Sequence, residues 1–236
     1  MEQHTKIIDL YGLPGCGKTT LQNSFISLCK DQSFSVGYLP DLTTYMRKHP
    51  ISSFVKSFSI SQFFLLFRFF CSVPLLRLSD WSIYWGFIKF LFIYKFSKTV
   101  QIKDFIIVDH GFCQSVGSLT YGNIEYLSEN SRHLLYRLFT VIDIDIPIYC
   151  HISAELSLYR IRYRNRQSKS GRLDRINDDA KLMNALKIQA IMFDSIYSLT
   201  KTNLNSQFIE MNDEVESIAI QVLNSISCYS SINEVH

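Results

Sequence analysis

Nine residues near the N-terminus, Gly12-Leu13-Pro14-Gly15-Cys16-Gly17-Lys18-Thr19-Thr20, combine what the gripping of a polyphosphate requires. Glycine at Gly12, Gly15 and Gly17 lets backbone N–H groups approach phosphate oxygens that a Cβ would hold off. Lys18 supplies positive charge for β- and γ-phosphate oxygens, and the Thr19 hydroxyl is a hard oxygen donor of the kind Mg²⁺ accepts. The run fits the Walker A pattern G-x4-G-K-T, follows the apolar stretch from Lys6 to Tyr11, and enters helix-like residues from Leu21 to Leu28. That strand–turn–helix context separates the motif from a chance glycine turn. The sequence therefore predicts an ATP site built by Gly12, Pro14, Gly15, Cys16, Gly17, Lys18, Thr19 and Thr20.

A second chemical group ends the apolar run Phe105-Ile106-Ile107-Val108-Asp109. An acid delivered at the C-terminal end of a buried strand is placed to hold Mg²⁺ directly or through water, so Asp109 is the predicted metal partner of Thr19. ATP-hydrolysing motors follow this aspartate with a water-activating glutamate, whereas here His110 follows it. No N-K-x-D motif occurs, and Asp109-His110-Gly111 is not D-x-x-G, which weakens a GTPase reading. Phosphoryl transfer to a bound acceptor gains by elimination.

A third group is cationic. Arg160, Arg162, Arg164, Arg166, Lys169, Arg172 and Arg175 place seven cations within sixteen residues. If 153–162 is helical, Arg160 and Arg164 share a face, and 167–171 reads as a polar turn. Guanidinium groups on a closing lid at 160–175 would stabilise charge spread over the equatorial oxygens of a phosphoryl-transfer transition state. The competing reading is a solvated basic face that binds RNA or acidic lipid.

These groups need a scaffold that brings them to one place. Short apolar strand candidates recur at Ile7–Tyr11, Ser35–Leu39, Phe105–Val108, Ile148–Ile152 and Gln207–Met211. Near-continuous apolar strands separated by longer helical stretches are the rhythm of a parallel sheet covered on both faces, with ligands at the C-terminal edge. Helical periodicity runs from Asp178 to Thr200 and from Glu214 to Ile226. The fold class expected is α/β: one three-layer P-loop domain over 1–236 with a five-stranded parallel sheet.

Whole-chain properties narrow the function further. The chain has 236 residues, a net charge of +3 and six cysteines without a C-x-x-C pair. No basic-plus-apolar leader precedes the first strand, so the expectation is a reduced cytoplasmic setting without structural zinc. A specific nucleic-acid partner is not needed to explain the charge. Between 54 and 100 aromatic and aliphatic residues are dense, broken by Arg68, Arg77, Lys89 and Lys95. No uninterrupted apolar run reaches the ~18 residues of a spanning helix. The insertion reads as helices covering the acceptor side of the sheet, or as a basic aromatic surface touching an anionic membrane peripherally. Arg68 could alternatively point into the acceptor pocket. His4, His49, His133 and His151 lack ligand spacing and read as structural or surface residues.

Taken together, the phosphate loop, the strand ending in Asp109 and the arginine segment resemble the thymidylate kinase branch of the nucleoside and nucleoside-monophosphate kinases. The resemblance covers most of the chain. It implies a lid after the fourth strand that supplies the arginines, since Leu13, Pro14 and Cys16 carry no charge. It also implies that Asp41, beyond the second strand, handles the acceptor, with Arg47 a turn or two further on. Relatives carry Asp-Arg or Glu-Arg after the third strand where this chain has Asp109-His110, and the motif Arg-Glu-Pro-Gly-Gly-Thr is absent. Gln114, Ser115 and Tyr121 are then the residues available to line an acceptor pocket.

The combined expectation is a Mg²⁺-dependent phosphotransferase that moves the γ-phosphoryl group of ATP to a small acceptor: a nucleoside, nucleotide or sugar. Lys18, Asp41, Arg164 and Arg172 are the catalytic candidates, and Thr19 with Asp109 the metal pair. A kinase for a sugar or lipid intermediate, and a nucleotide-binding regulator without efficient transfer, remain as alternatives. A homodimer is compatible with the sequence.

Overall fold

The structure is a computed structural model that describes residues 5–38, 59–72, 90–91, 94, 103–109, 111–119, 134, 137–139, 144–165, 173, 176–201, 206–211 and 215–232. Its centre is a five-stranded sheet formed by β1 (Lys6–Tyr11), β2 (Val36–Tyr38), β3 (Phe105–Asp109), β4 (Ile146–His151) and β5 (Gln207–Glu210), in the order β2-β3-β1-β4-β5. All four pairings are parallel. The strands lie within two residues of the ranges expected from their apolar runs. Ile7, Ile8 and Leu10 of β1 are fully buried, as are Val108 and Ile148, which explains why these strands read as continuous hydrophobic runs.

Six helices are described: α1 (Lys18–Asp31), α2 (Ile60–Ser72), α3 (Phe112–Leu119), α4 (Ala154–Asn165), α5 (Asp179–Lys201) and α6 (Val215–Ile232). α1 packs with α6, while α3 and α4 both pack with α5. Alternation along β1 sorts the two faces. Tyr11 stacks on Tyr149 with ring centroids 5.2 Å apart and meets Phe193 of α5, while Asp9 on the same face meets the N-terminus of α3. Leu10 and Ile8 point to the opposite layer. These are the three layers expected from the sequence.

Parallel pairing sends the C-terminal ends of all five strands to one edge. The chain leaves β1 for the edge strand β2, but leaves β3 for β4 on the far side of β1. The ends of β1 and β3 therefore flank the point where the winding reverses, which is where open α/β sheets bind ligands. Gly12 follows β1, and Asp109 closes β3.

The aromatic-rich insertion is described only in part. α2 buries Leu65 and Phe69, and leaves Ile60, Phe64 and Phe67 exposed on its other side. Leu91 and Tyr94 are buried. Among the described residues no helix is long and apolar enough to cross a membrane.

Candidate active site

The phosphate loop is shaped by glycine where glycine is required. Gly12 has φ 148°, and a Cβ there would overlap the backbone oxygen of Cys150 on the neighbouring strand. Gly17 caps α1 in the left-handed region, with φ 97° and ψ 14°. Only a residue without a Cβ takes that conformation at little cost, so the turn from strand to helix is written into these positions.

Three side chains on two helices outside the loop hold it. The Gly12 N–H donates to Oε1 of Gln114 on α3 at 3.1 Å. Ser157 of α4, fully buried, donates its hydroxyl to the Pro14 carbonyl at 2.7 Å, and Arg160, one helical turn on, donates to the Gly15 carbonyl at 3.0 Å. Because a trans peptide sends C=O and N–H to opposite sides, the Pro14 carbonyl's bond to α4 turns the Gly15 N–H away from that helix. Lys18 folds into the loop, with only 5% of its surface exposed, and its ammonium donates to the carbonyls of Gly12 at 3.0 Å and Leu13 at 3.1 Å and to the Cys16 sulfur at 3.3 Å. Thr19 and Thr20 are exposed at the start of α1.

The Thr19 hydroxyl donates to Oδ2 of Asp109 at 2.5 Å. Residues 90 positions apart in sequence thus meet at the switch point. The pair offers two hard oxygens of the type Mg²⁺ takes, and leaves most of an octahedron to phosphate and water. The donor set fits that ion. Among the described residues no group of three or more His, Cys, Asp or Glu could hold a metal ion.

The arginine segment divides by helical phase. Arg160 faces the phosphate loop, and Arg164 lies on the same side a turn later, half-buried. Arg162 points elsewhere and ties α4 to the start of α5 through Asp179 at 2.6 Å and the Asn177 carbonyl at 3.2 Å. The helix expected over 153–162 extends to Asn165. Asp41, Arg47, His110, Tyr121 and Arg172, together with the turn at 167–171, lie outside the described residues. Of the other acceptor-side candidates, Gln114 is buried and holds the loop, and Ser115 donates to the Gly111 carbonyl at 2.9 Å. His151 pairs with Glu210 at 3.0 Å and stacks on Phe208, the structural role its sequence context implies.

Sequence reasoning missed Asp9. This carboxyl is fully buried in the central strand, where it accepts from the Cys113 N–H at 2.9 Å and from the Tyr94 hydroxyl, which in turn accepts from the Phe112 N–H at 3.2 Å. Burial pushes its pKa up to about 7, against the lowering effect of those hydrogen bonds. The signal was present as a lone acid inside the run Ile7-Ile8-Asp9-Leu10-Tyr11, although its partners are 85 or more residues away.

No protein-family model matches the chain, and no curated protein sequence matches it. Among solved structures, a deoxyadenosine kinase from M. mycoides with products dCMP and a flexible dCDP superposes with a TM-score of 0.53 at 12% identity, covering 94% of this chain and 99% of that one. The same enzyme bound to dCTP and to dATP gives TM-scores of 0.49 and 0.48, at 12% and 13% identity and the same coverage. The chain has the P-loop kinase fold.

Proposed function

We propose that the protein is a P-loop phosphotransferase that moves the γ-phosphoryl group of ATP to the hydroxyl of a deoxynucleoside-like acceptor. The observation that carries this reading is the contact of Thr19 with Asp109 beside the Lys18-filled phosphate loop. Lys18 leaves its carbonyl partners for β- and γ-phosphate oxygens, exchanging neutral acceptors for charged ones. Bound Mg²⁺, held through Thr19 and Asp109, would offset charge on the phosphates as transfer proceeds. Arg160 and Arg164, on the loop-facing side of α4, and Arg172 beyond it add positive charge at the transferring group. Asp41 orients the acceptor hydroxyl and receives its proton.

The acceptor class is supported from two directions. The superposable enzyme is described as a deoxyadenosine kinase. This chain carries His110 where the thymidylate kinases carry the arginine that grips an acceptor phosphate, and a neutral histidine offers at most one donor. A neutral nucleoside needs no such grip. Purified protein with ATP and Mg²⁺ should release ADP only when a deoxynucleoside is added, and thymidine monophosphate should be a poor substrate. Efficient, specific phosphorylation of thymidine monophosphate would overturn the acceptor assignment. ADP release that ignores every acceptor would favour a nucleotide-binding regulator.

A further inference from the structure

Three successive residues in the first turn of α3 reach three separate parts of the chain. The Phe112 N–H donates to the hydroxyl of Tyr94 at 3.2 Å, the Cys113 N–H donates to Oδ2 of Asp9 at 2.9 Å, and the Gln114 side chain accepts from the Gly12 N–H at 3.1 Å. Amides at the start of a helix have no acceptor within it, and here the helical ladder begins with the Ser115 N–H bonding back to the Gly111 carbonyl at 3.0 Å. The amides of Phe112 and Cys113 are capped instead by side chains from outside the helix. Tyr94 comes from the chain between β2 and β3, Asp9 from inside β1, and Gly12 opens the phosphate loop. Gly111 makes room for this meeting, because a Cβ there would fall 2.2 Å from the Tyr94 hydroxyl oxygen and 2.4 Å from Oδ1 of Asp9. Asp9, Tyr94, Phe112 and Cys113 are fully buried and Gln114 nearly so, which keeps water from taking over a bond that is lost.

We propose that this turn is a relay joining the segment between β2 and β3 to the phosphate loop, with Tyr94 and Gln114 as its two positioning residues. The Gly12 amide belongs to the peptide by which the loop leaves β1, so the Gln114 bond sets the plane of that peptide and with it the direction of the loop. Gln114 stands two residues from Phe112 in the same helical turn. Removing the Tyr94 hydroxyl leaves the buried Phe112 N–H without its acceptor, the turn shifts to relieve it, and Gln114 is carried along. Asp9 keeps its hold on the Cys113 amide and so keeps α3 docked on β1. On the phosphotransferase reading, on which this consequence rests, whatever the segment between β2 and β3 binds is felt at the loop. Nucleotide in the loop is felt in that segment to the same degree.

The test is amide hydrogen exchange in the full-length, nucleotide-free protein, followed by NMR at Gly12 and at Ile148, whose place in central β4 makes it a reporter of global opening. Gln114→Met removes the acceptor of the Gly12 amide, and Tyr94→Phe removes the hydroxyl alone. Each should speed exchange at Gly12 by about 5–10-fold relative to Ile148, the worth of one buried hydrogen bond. The double variant should be no faster than Gln114→Met, because the relay then has no output left to move. Unchanged exchange at Gly12 in Tyr94→Phe, equal acceleration at Gly12 and Ile148, or accelerations that multiply in the double variant would each overturn the relay. The same proteins are then titrated with ATP and Mg²⁺. Affinity that falls in step with faster Gly12 exchange supports both readings, whereas the expected exchange pattern in a protein whose wild type binds no ATP keeps the relay and removes the donor site.

Discussion

The guanidinium of Arg160 donates to the Gly15 carbonyl at 3.0 Å, joining α4 to the phosphate loop across 145 residues of sequence. With the Ser157 bond to the Pro14 carbonyl, this makes the helix that follows β4 part of the loop's own support. An arginine in that position both shapes the loop and stands next to whatever phosphate the loop holds. Arg160→Ala should therefore lower stability by about 1–2 kcal/mol and lower kcat as well. Chemical denaturation and steady-state kinetics on one preparation would check both. Loss of neither would separate α4 from the site.

Arg164 sits a turn beyond Arg160 on the same side of α4. Replacing Arg164 and Arg172 together by alanine should depress kcat about 10²-fold while ATP affinity changes little, because charge stabilisation by these arginines is greatest in the transition state. Equilibrium nucleotide binding beside turnover makes the comparison. Equal losses in both would mean that these arginines grip the ground state instead.

Lys18→Ala removes the only side-chain cation that the loop encloses among the described residues. Transfer should fall by about 10²–10³-fold or more, equivalent to about 3–4 kcal/mol of transition-state stabilisation. Circular dichroism should be unchanged, since the loop is independently held by Gln114, Ser157 and Arg160. A variant with wild-type turnover would remove the donor site from this loop.

Asp109→Asn keeps the hydrogen bond with Thr19 available but replaces a carboxylate by a neutral amide, a poorer partner for a hard cation. The Mg²⁺ concentration for half-maximal ATP binding should rise about 10-fold. Titration of nucleotide binding, independent of turnover, measures it. Superimposable titrations would rule out the metal role.

Asp9 makes stability depend on pH with a definite sign. Its carboxyl is raised from 3.8 to about 7 on folding, so between those values the folded chain binds the proton that the unfolded chain has released. Stability from this group is full below pH 3.8 and is lost as pH rises to about 7, by up to about 4 kcal/mol. Asp9→Asn cannot titrate. Urea midpoints of wild type and variant should therefore converge toward low pH and separate toward neutrality, with the wild type declining relative to the variant. Parallel curves would show that Asp9 is ionised in the folded state at all these pH values.

Local sequence was sufficient wherever local sterics and burial set the answer. Gly12 and Gly17 specify a turn that residues with a Cβ resist, the apolar runs specify strands buried on both faces, and Lys18 and Thr19 are fixed by following that turn. From these alone the P-loop fold, the five strands and the pairing of Thr19 with Asp109 were legible. The packing of α4 on the loop was not, because Arg160 and Arg164 are equivalent by helical phase, and only the docking of the helix puts Arg160 on the Gly15 carbonyl while turning Arg162 to Asp179. Gln114 likewise reads as a polar residue free to meet an acceptor until α3 places it against Gly12. Asp9 shows the same limit more sharply. What it does depends on its desolvation and on partners 85 or more residues away, which only the tertiary fold brings to β1.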